Sequence, residues 1–79
     1  MAAPKEPKPI CERIGRMVRE RRQSRRLSLA ELAEHTGLSK TYLWQIEAGR
    51  SEPGAGAVLR LCRKLGLSAD DLLGVREES

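Results

Sequence analysis

The feature that most constrains this chain is a single glycine between two short periodic segments. Around Gly37 the residues from Ser28 to Arg50 read SLAELAEHTGLSKTYLWQIEAGR. Ser28 followed by Glu31 is a capping box, in which the hydroxyl accepts from the Glu31 amide while the carboxylate accepts from the amide of Ser28. A helix therefore starts at Ser28. Leu29, Leu32 and Ala33 give it an apolar stripe, and Ala33 is small enough for a second helix to cross close above it. His35 and Thr36 close this helix, Gly37 supplies a left-handed C-cap, Leu38 plugs back toward the core, and Ser39 caps the next helix. The connection is a turn of only about three residues between the two helices.

Placing the residues after Ser39 at about 100° each puts Leu43, Ile46 and Glu47 on one side, with Thr41, Trp44, Gln45 and Ala48 opposite and Lys40 and Tyr42 on the flanks. An ordinary surface helix turns long charged side chains outward. This one turns out a hydroxyl, an amide and an indole, with a lysine at its start. Such groups suit base edges in a DNA groove: Gln for adenine, Lys for guanine, an apolar ring or a methyl against the thymine methyl. Lys40, Thr41, Trp44 and Gln45 are the candidate base-reading residues.

The pattern A-x-x-x-G-L-x-x-x-x-L-x-x-I-E-x-G from Ala33 to Gly49, preceded by Leu29, resembles the phage-repressor helix-turn-helix family, the Cro/cI or XRE type. The resemblance runs from about Ile14 to Gly74 and is specific, because glycine, alanine and the apolar positions must all fall in register. It implies an all-α, five-helix, lambda-repressor-like DNA-binding domain with the helix-turn-helix at helices 2 and 3. It also implies a transcriptional regulator, a repressor, that binds an inverted repeat of double-stranded DNA as a homodimer with helix 3 in the major groove.

The resemblance further assigns Arg22 to a clamp on Glu47 that ties the first helix to the recognition helix. Glu47 points inward by spacing, where an unpaired carboxylate is expensive. Arg50 matches a basic residue that meets the phosphate backbone, and Tyr42 and Ser51 join it as candidate phosphate contacts. Two positions depart from the family pattern. Arg26 stands where glycine is frequent, which requires either a left-handed arginine or a different helix end. Leu29 stands where many relatives carry a glutamine that reaches a phosphate, so only backbone amides are available there.

Seventy-nine residues make one small domain, with residues 10–74 as the helix-turn-helix unit between an N-terminal tail, 1–9, and a short C-terminal tail, 75–79. With one Trp, one Tyr and no Phe, the core must be built from Leu, Ile, Val, Ala and Met. A net charge of +4, with eleven arginines, favours an anionic partner. No run of about twenty apolar residues exists, and the N-terminus lacks the apolar stretch of a signal peptide, so the expected place is the cytoplasm and not a membrane. Cys11 and Cys62 lack C-x-x-C spacing and nearby histidines; Cys62 reads as a buried thiol, and Cys11 as one open to exposure. Neither a metal nor any other cofactor is expected.

In chain order, the tail MAAPKEPKP carries three prolines and two lysines; it reads as solvated, or as a basic arm along DNA. Pro9 also fits the first turn of a helix to about Arg25, with Ile10, Ile14, Met17 and Val18 at helical spacing. Arg13, Arg16, Arg19, Arg21, Arg25 and Arg26 read mostly as its solvated face. After the loop from Gly49 to Gly54, Val58, Leu61, Cys62 and Leu65 form the stripe of a fourth helix that starts without a capping serine. Gly66 ends it, and Ser68 caps a last short helix with Asp70 and Asp71 in its first turn. Leu72 is expected inside, and Leu73 with Val75 at a dimer contact.

An enzyme is not expected: there is no nucleophile beside a base, no carboxylate pair in a cleft, and no phosphate-cradling glycine loop. The alternative class is a protein-interaction module, such as an antitoxin-like protein with secondary DNA binding, which would grip a protein partner through Ile10, Leu73, Val75 and Trp44.

Overall fold

The computed structural model describes residues 8–74, in five helices: α1 (Pro9–Ser24), α2 (Leu29–Thr36), α3 (Lys40–Glu47), α4 (Ala55–Leu65) and α5 (Ala69–Leu73). No strand occurs among the described residues. The fold is all-α, with α2 and α3 as the helix-turn-helix. The two tails, apart from Lys8 and Pro9, lie outside the described residues, as does Val75.

Local chemistry sets most of the boundaries. Pro9 occupies the first turn of α1. The Ser28 hydroxyl accepts from the Glu31 amide at 3.0 Å, and Glu31 accepts from the Ser28 amide at 2.8 Å, which starts α2. Gly37 ends it in the left-handed region at φ 74°, and the Ser39 hydroxyl accepts from the Tyr42 amide to start α3. Thr36, polar and buried, spans this turn: its hydroxyl donates to the Leu32 carbonyl at 2.7 Å and accepts from the Leu38 amide at 3.3 Å. Gly54 starts α4 without a side-chain cap, whereas Ser68 caps α5 through the Asp71 amide. Arg26 does take the left-handed conformation, at φ 58°. That allows the Leu27 amide to donate to the Arg22 carbonyl and close α1.

The core gathers one stripe from each helix: Ile14 and Val18, Leu32, Leu43 and Ile46, Val58, Leu61, Cys62 and Leu65, and Leu72. Leu29, Ala33, Leu38, Leu67 and Leu73 pack against it from positions that are only partly buried. Leu73 is therefore engaged by its own core, not fully free for a dimer contact.

Two positions of α1 that the sequence leaves open are decided by the packing. Cys11 is buried, and Ile10, 40% exposed, falls outside the stripe of Ile14 and Val18. The cause is the crossing with α3. Gly15 faces the last turn of α3, where a β carbon would overlap the Ile46 carbonyl oxygen and come 2.7 Å from that of Glu47. This approach fixes the rotation of α1 so that positions 11, 14, 15 and 18 point inward and position 10 falls on the rim.

One expectation is corrected, that for the arginines. Arg13 donates twice to the Asp71 carbonyl, at 3.1 and 2.8 Å. Arg21 donates to the carbonyls of Leu65 and Gly66, and Arg25 to that of Lys64. These side chains bond the otherwise unpaired carbonyls of α5 and of the end of α4, where the helix dipole favours a cation. They are ties between helices more than a solvated face.

Candidate nucleic-acid interface

Helix α3 has two unlike sides. Leu43 and Ile46 are completely buried, while Lys40, Thr41 and Trp44 are exposed and Tyr42 and Gln45 are half-buried. Ser39 holds the start of the helix, and the packing of α1 and α2 on its inner side turns the other side outward.

The inner side is fastened by Arg22 and Glu47. Arg22 Nε donates to Glu47 Oε2 at 2.6 Å and Nη2 to Oε1 at 3.0 Å, while Nη1 donates to the Leu27 carbonyl at 2.8 Å. The side chains are 14% and 8% exposed, so the pair is almost out of water. The hydrogen bond to Glu47 and its charge raise the Arg22 pKa above its ordinary value, against a smaller opposing effect of burial. This pair links α1 to the C-terminal end of α3, so the helix cannot slide without breaking it. Its role is positional.

The outer side is completed by the loop after the helix. Gly49 is left-handed at φ 76°; its amide donates to Ile46, and the Arg50 amide donates back to Gln45 at 2.9 Å. These two bonds fold the chain over the last turn of α3. Residues six apart then meet. The Arg50 guanidinium carbon lies 5.4 Å from the centre of the Trp44 ring, and the Ser51 hydroxyl donates to Gln45 Oε1 at 3.4 Å. Tyr42 reaches the same loop through its hydroxyl, which accepts from the Gly54 amide at the start of α4. Lys40 and Thr41 make no side-chain hydrogen bond among the described residues, so their polar groups face solvent.

The candidate base-reading residues thus share one exposed surface with the candidate phosphate contacts Tyr42, Arg50 and Ser51. Sequence reasoning misses the six-residue pairings, although the glycine at 49, just past a helix end, is the signal that could have found them. The α1 arginines without carbonyl partners, Arg16 and Arg19, lie around a shallow cleft with Glu12 and Glu20 and so do not form a uniformly positive surface. Among the described residues no helix is long and apolar enough to cross a membrane, and no three metal-ligating side chains cluster.

Comparison with known proteins agrees with this architecture. A family model described as "Helix-turn-helix domain" matches residues 13–73. The chain is 34% identical over 58 residues to a Mycobacterium tuberculosis protein named as an HTH-type transcriptional regulator, covering 73% of this chain and 41% of that protein. The chain thus spans well under half the length of that relative. It is 30% identical over 61 residues to the ImmF control region 10 kDa protein of Bacillus phage phi105, covering 77% of this chain and 68% of that protein.

Among solved structures, the restriction-modification controller protein C.AhdI of Aeromonas hydrophila superposes with a TM-score of 0.73 at 27% identity, over 78% of this chain and 94% of that one. SinR, a master regulator for biofilm formation crystallised in complex with DNA, gives a TM-score of 0.71 at 33% identity, over 76% of this chain and 97% of that one. With the recognition motif, the five-helix fold and these relatives in agreement, the chain belongs to the helix-turn-helix family of DNA-binding transcriptional regulators.

Proposed function

We propose that this domain binds double-stranded DNA sequence-specifically and represses transcription, as a homodimer on an inverted repeat with one α3 in each major groove. The observation that carries the reading is the composition of the outer side of α3. A helix whose inner side is fully buried shows solvent Lys40, Thr41, Trp44 and Gln45, in place of the acidic and basic mixture of an ordinary surface helix. Lysine and glutamine offer donors and acceptors at the spacing of base edges, and Thr41 a methyl. Tyr42, Arg50 and Ser51 flank them and hold phosphates, which sets register and supplies affinity common to all sequences. The net charge of +4 supports the encounter with DNA. The resemblance to regulators and to a DNA-bound neighbour supports the same reading.

The test is selection of bound sequences from a random duplex library at physiological salt, where binding through phosphates alone is suppressed. Recovery of an inverted repeat with half-sites about one helical turn apart is the expected result. Failure to recover a motif, with affinity that disappears as salt rises, overturns the reading. It would favour the protein-interaction alternative, in which Trp44 and Leu59, 50% and 53% exposed, are the first residues to examine.

A further inference from the structure

Trp44 does not stand alone on α3. The turn at Gly49 brings Arg50 back over its ring, and among the described residues the Arg50 guanidinium has no hydrogen-bond or ion-pair partner. Its contact is the face of the indole. A cation held over an aromatic face by the ring's quadrupole spends none of its hydrogen-bond donors on that contact, and the donors of a guanidinium match phosphate oxygens. An unrestrained arginine must give up its rotamer freedom when it meets a phosphate, whereas one held over a ring has surrendered part of it beforehand. The indole, in turn, has part of its surface committed to Arg50 and not to a base.

We propose that Trp44 is a positioning residue for Arg50: the indole, its centre 5.4 Å from the guanidinium carbon, holds the guanidinium beside the outer side of α3 so that its donors meet a DNA phosphate. Trp44 therefore contributes to the affinity shared by all sequences, and the choice of bases is left to Lys40, Thr41 and Gln45. The inference rests on DNA binding through α3.

The experiment measures binding of the 79-residue chain to a labelled mixed-sequence duplex, and to a duplex recovered by selection, across a salt series. Arg50→Ala is expected to lower the slope of log affinity against log salt by about one phosphate contact's worth, close to 0.9. Trp44→Ala is expected to lower it nearly as much, to weaken both duplexes by the same factor, and to add little in the double variant. Trp44→Phe, which keeps a ring, should retain most of the slope. In the free protein, the Arg50 side-chain proton resonances should be displaced upfield by the ring current and return to ordinary positions in Trp44→Ala.

Additive losses from Trp44→Ala and Arg50→Ala overturn the inference, as does a Trp44→Ala variant that changes base preference with the slope intact. Either result leaves the function proposed above standing. If selection recovers no motif while the two residues remain coupled on the mixed-sequence duplex, that function fails and the coupling holds. If the chain does not bind DNA at any salt, both fail.

Discussion

Gly15 in α1 lies directly against Glu47 in α3, with the Glu47 carbonyl oxygen 2.7 Å from where a β carbon on residue 15 would stand. In an open helix, Gly→Ala stabilises by about 1 kcal/mol. Here the obstructing atoms are backbone and cannot swing aside, so the steric term decides the sign. Gly15→Ala should destabilise the domain by about 1 to 3 kcal/mol in denaturant titrations, with larger side chains costing more. An unchanged or raised midpoint would show that α1 and α3 can move apart freely.

The clamp beside that crossing should be more costly to break. Arg22→Ala or Glu47→Ala leaves one nearly buried charge without its partner, and each should cost about 3 kcal/mol. The double variant should be less damaging than the sum of the singles, which an equilibrium double-mutant cycle measures.

Arg21 has smaller stakes. Its two hydrogen bonds to the end of α4 are partly exposed, so Arg21→Ala should cost about 1 kcal/mol. Amide exchange at the end of α4 should rise more than exchange in α2, whereas uniform acceleration would contradict a local tie.

Glu31 gives a pH signature. Hydrogen bonds from the Ser28 amide and hydroxyl hold its carboxyl below its ordinary 4.5. A depressed carboxyl contributes stability that is present above the unfolded-state value and is lost as pH falls through the folded one. Thermal midpoints should therefore decline on acidification below about pH 4.5 less steeply in Glu31→Gln, which keeps an acceptor at the cap but cannot titrate.

Base reading and phosphate holding separate by substitution. Gln45→Ala should lose about 1 to 3 kcal/mol of discrimination at particular base pairs while the salt slope persists. Ser51→Ala, at a proposed phosphate contact, should weaken all sequences alike, with a smaller loss of discrimination beside it because the Ser51 hydroxyl also donates to the Gln45 carboxamide. Equal losses on all sequences from Gln45→Ala would argue against reading by α3.

The residues declare whatever local chemistry decides. Ser28 with Glu31, Gly37, Ser39, Gly66 and Ser68 mark helix ends because capping is settled within four residues. The apolar rows of α2, α3 and α4 follow from helical period. The same period places Lys40, Thr41, Trp44 and Gln45 outward together, so the membership of the candidate surface is legible. Its internal pairings are not, because the contact between Trp44 and Arg50 depends on how the chain reverses at Gly49. The arginine ties join residues 39 to 58 positions apart, and no local pattern encodes them. Gly15 illustrates the limit best. In sequence it is a weak helix former in α1, and only the neighbouring helix gives it a purpose. The inward position of Cys11 follows from that same crossing.

The burial of both thiols makes the domain its own clock. Cys11 and Cys62 are free and enclosed, one in the first turn of α1 and the other toward the end of α4. A thiol reagent in solution can reach either only when the surrounding structure opens. Cys11 can be uncovered by fraying of a single turn, whereas Cys62 belongs to the central packing, and its burial also makes the thiolate harder to form. Their two labelling rates therefore time two different events in one unmodified molecule: the loosening of an end, and the opening of the whole.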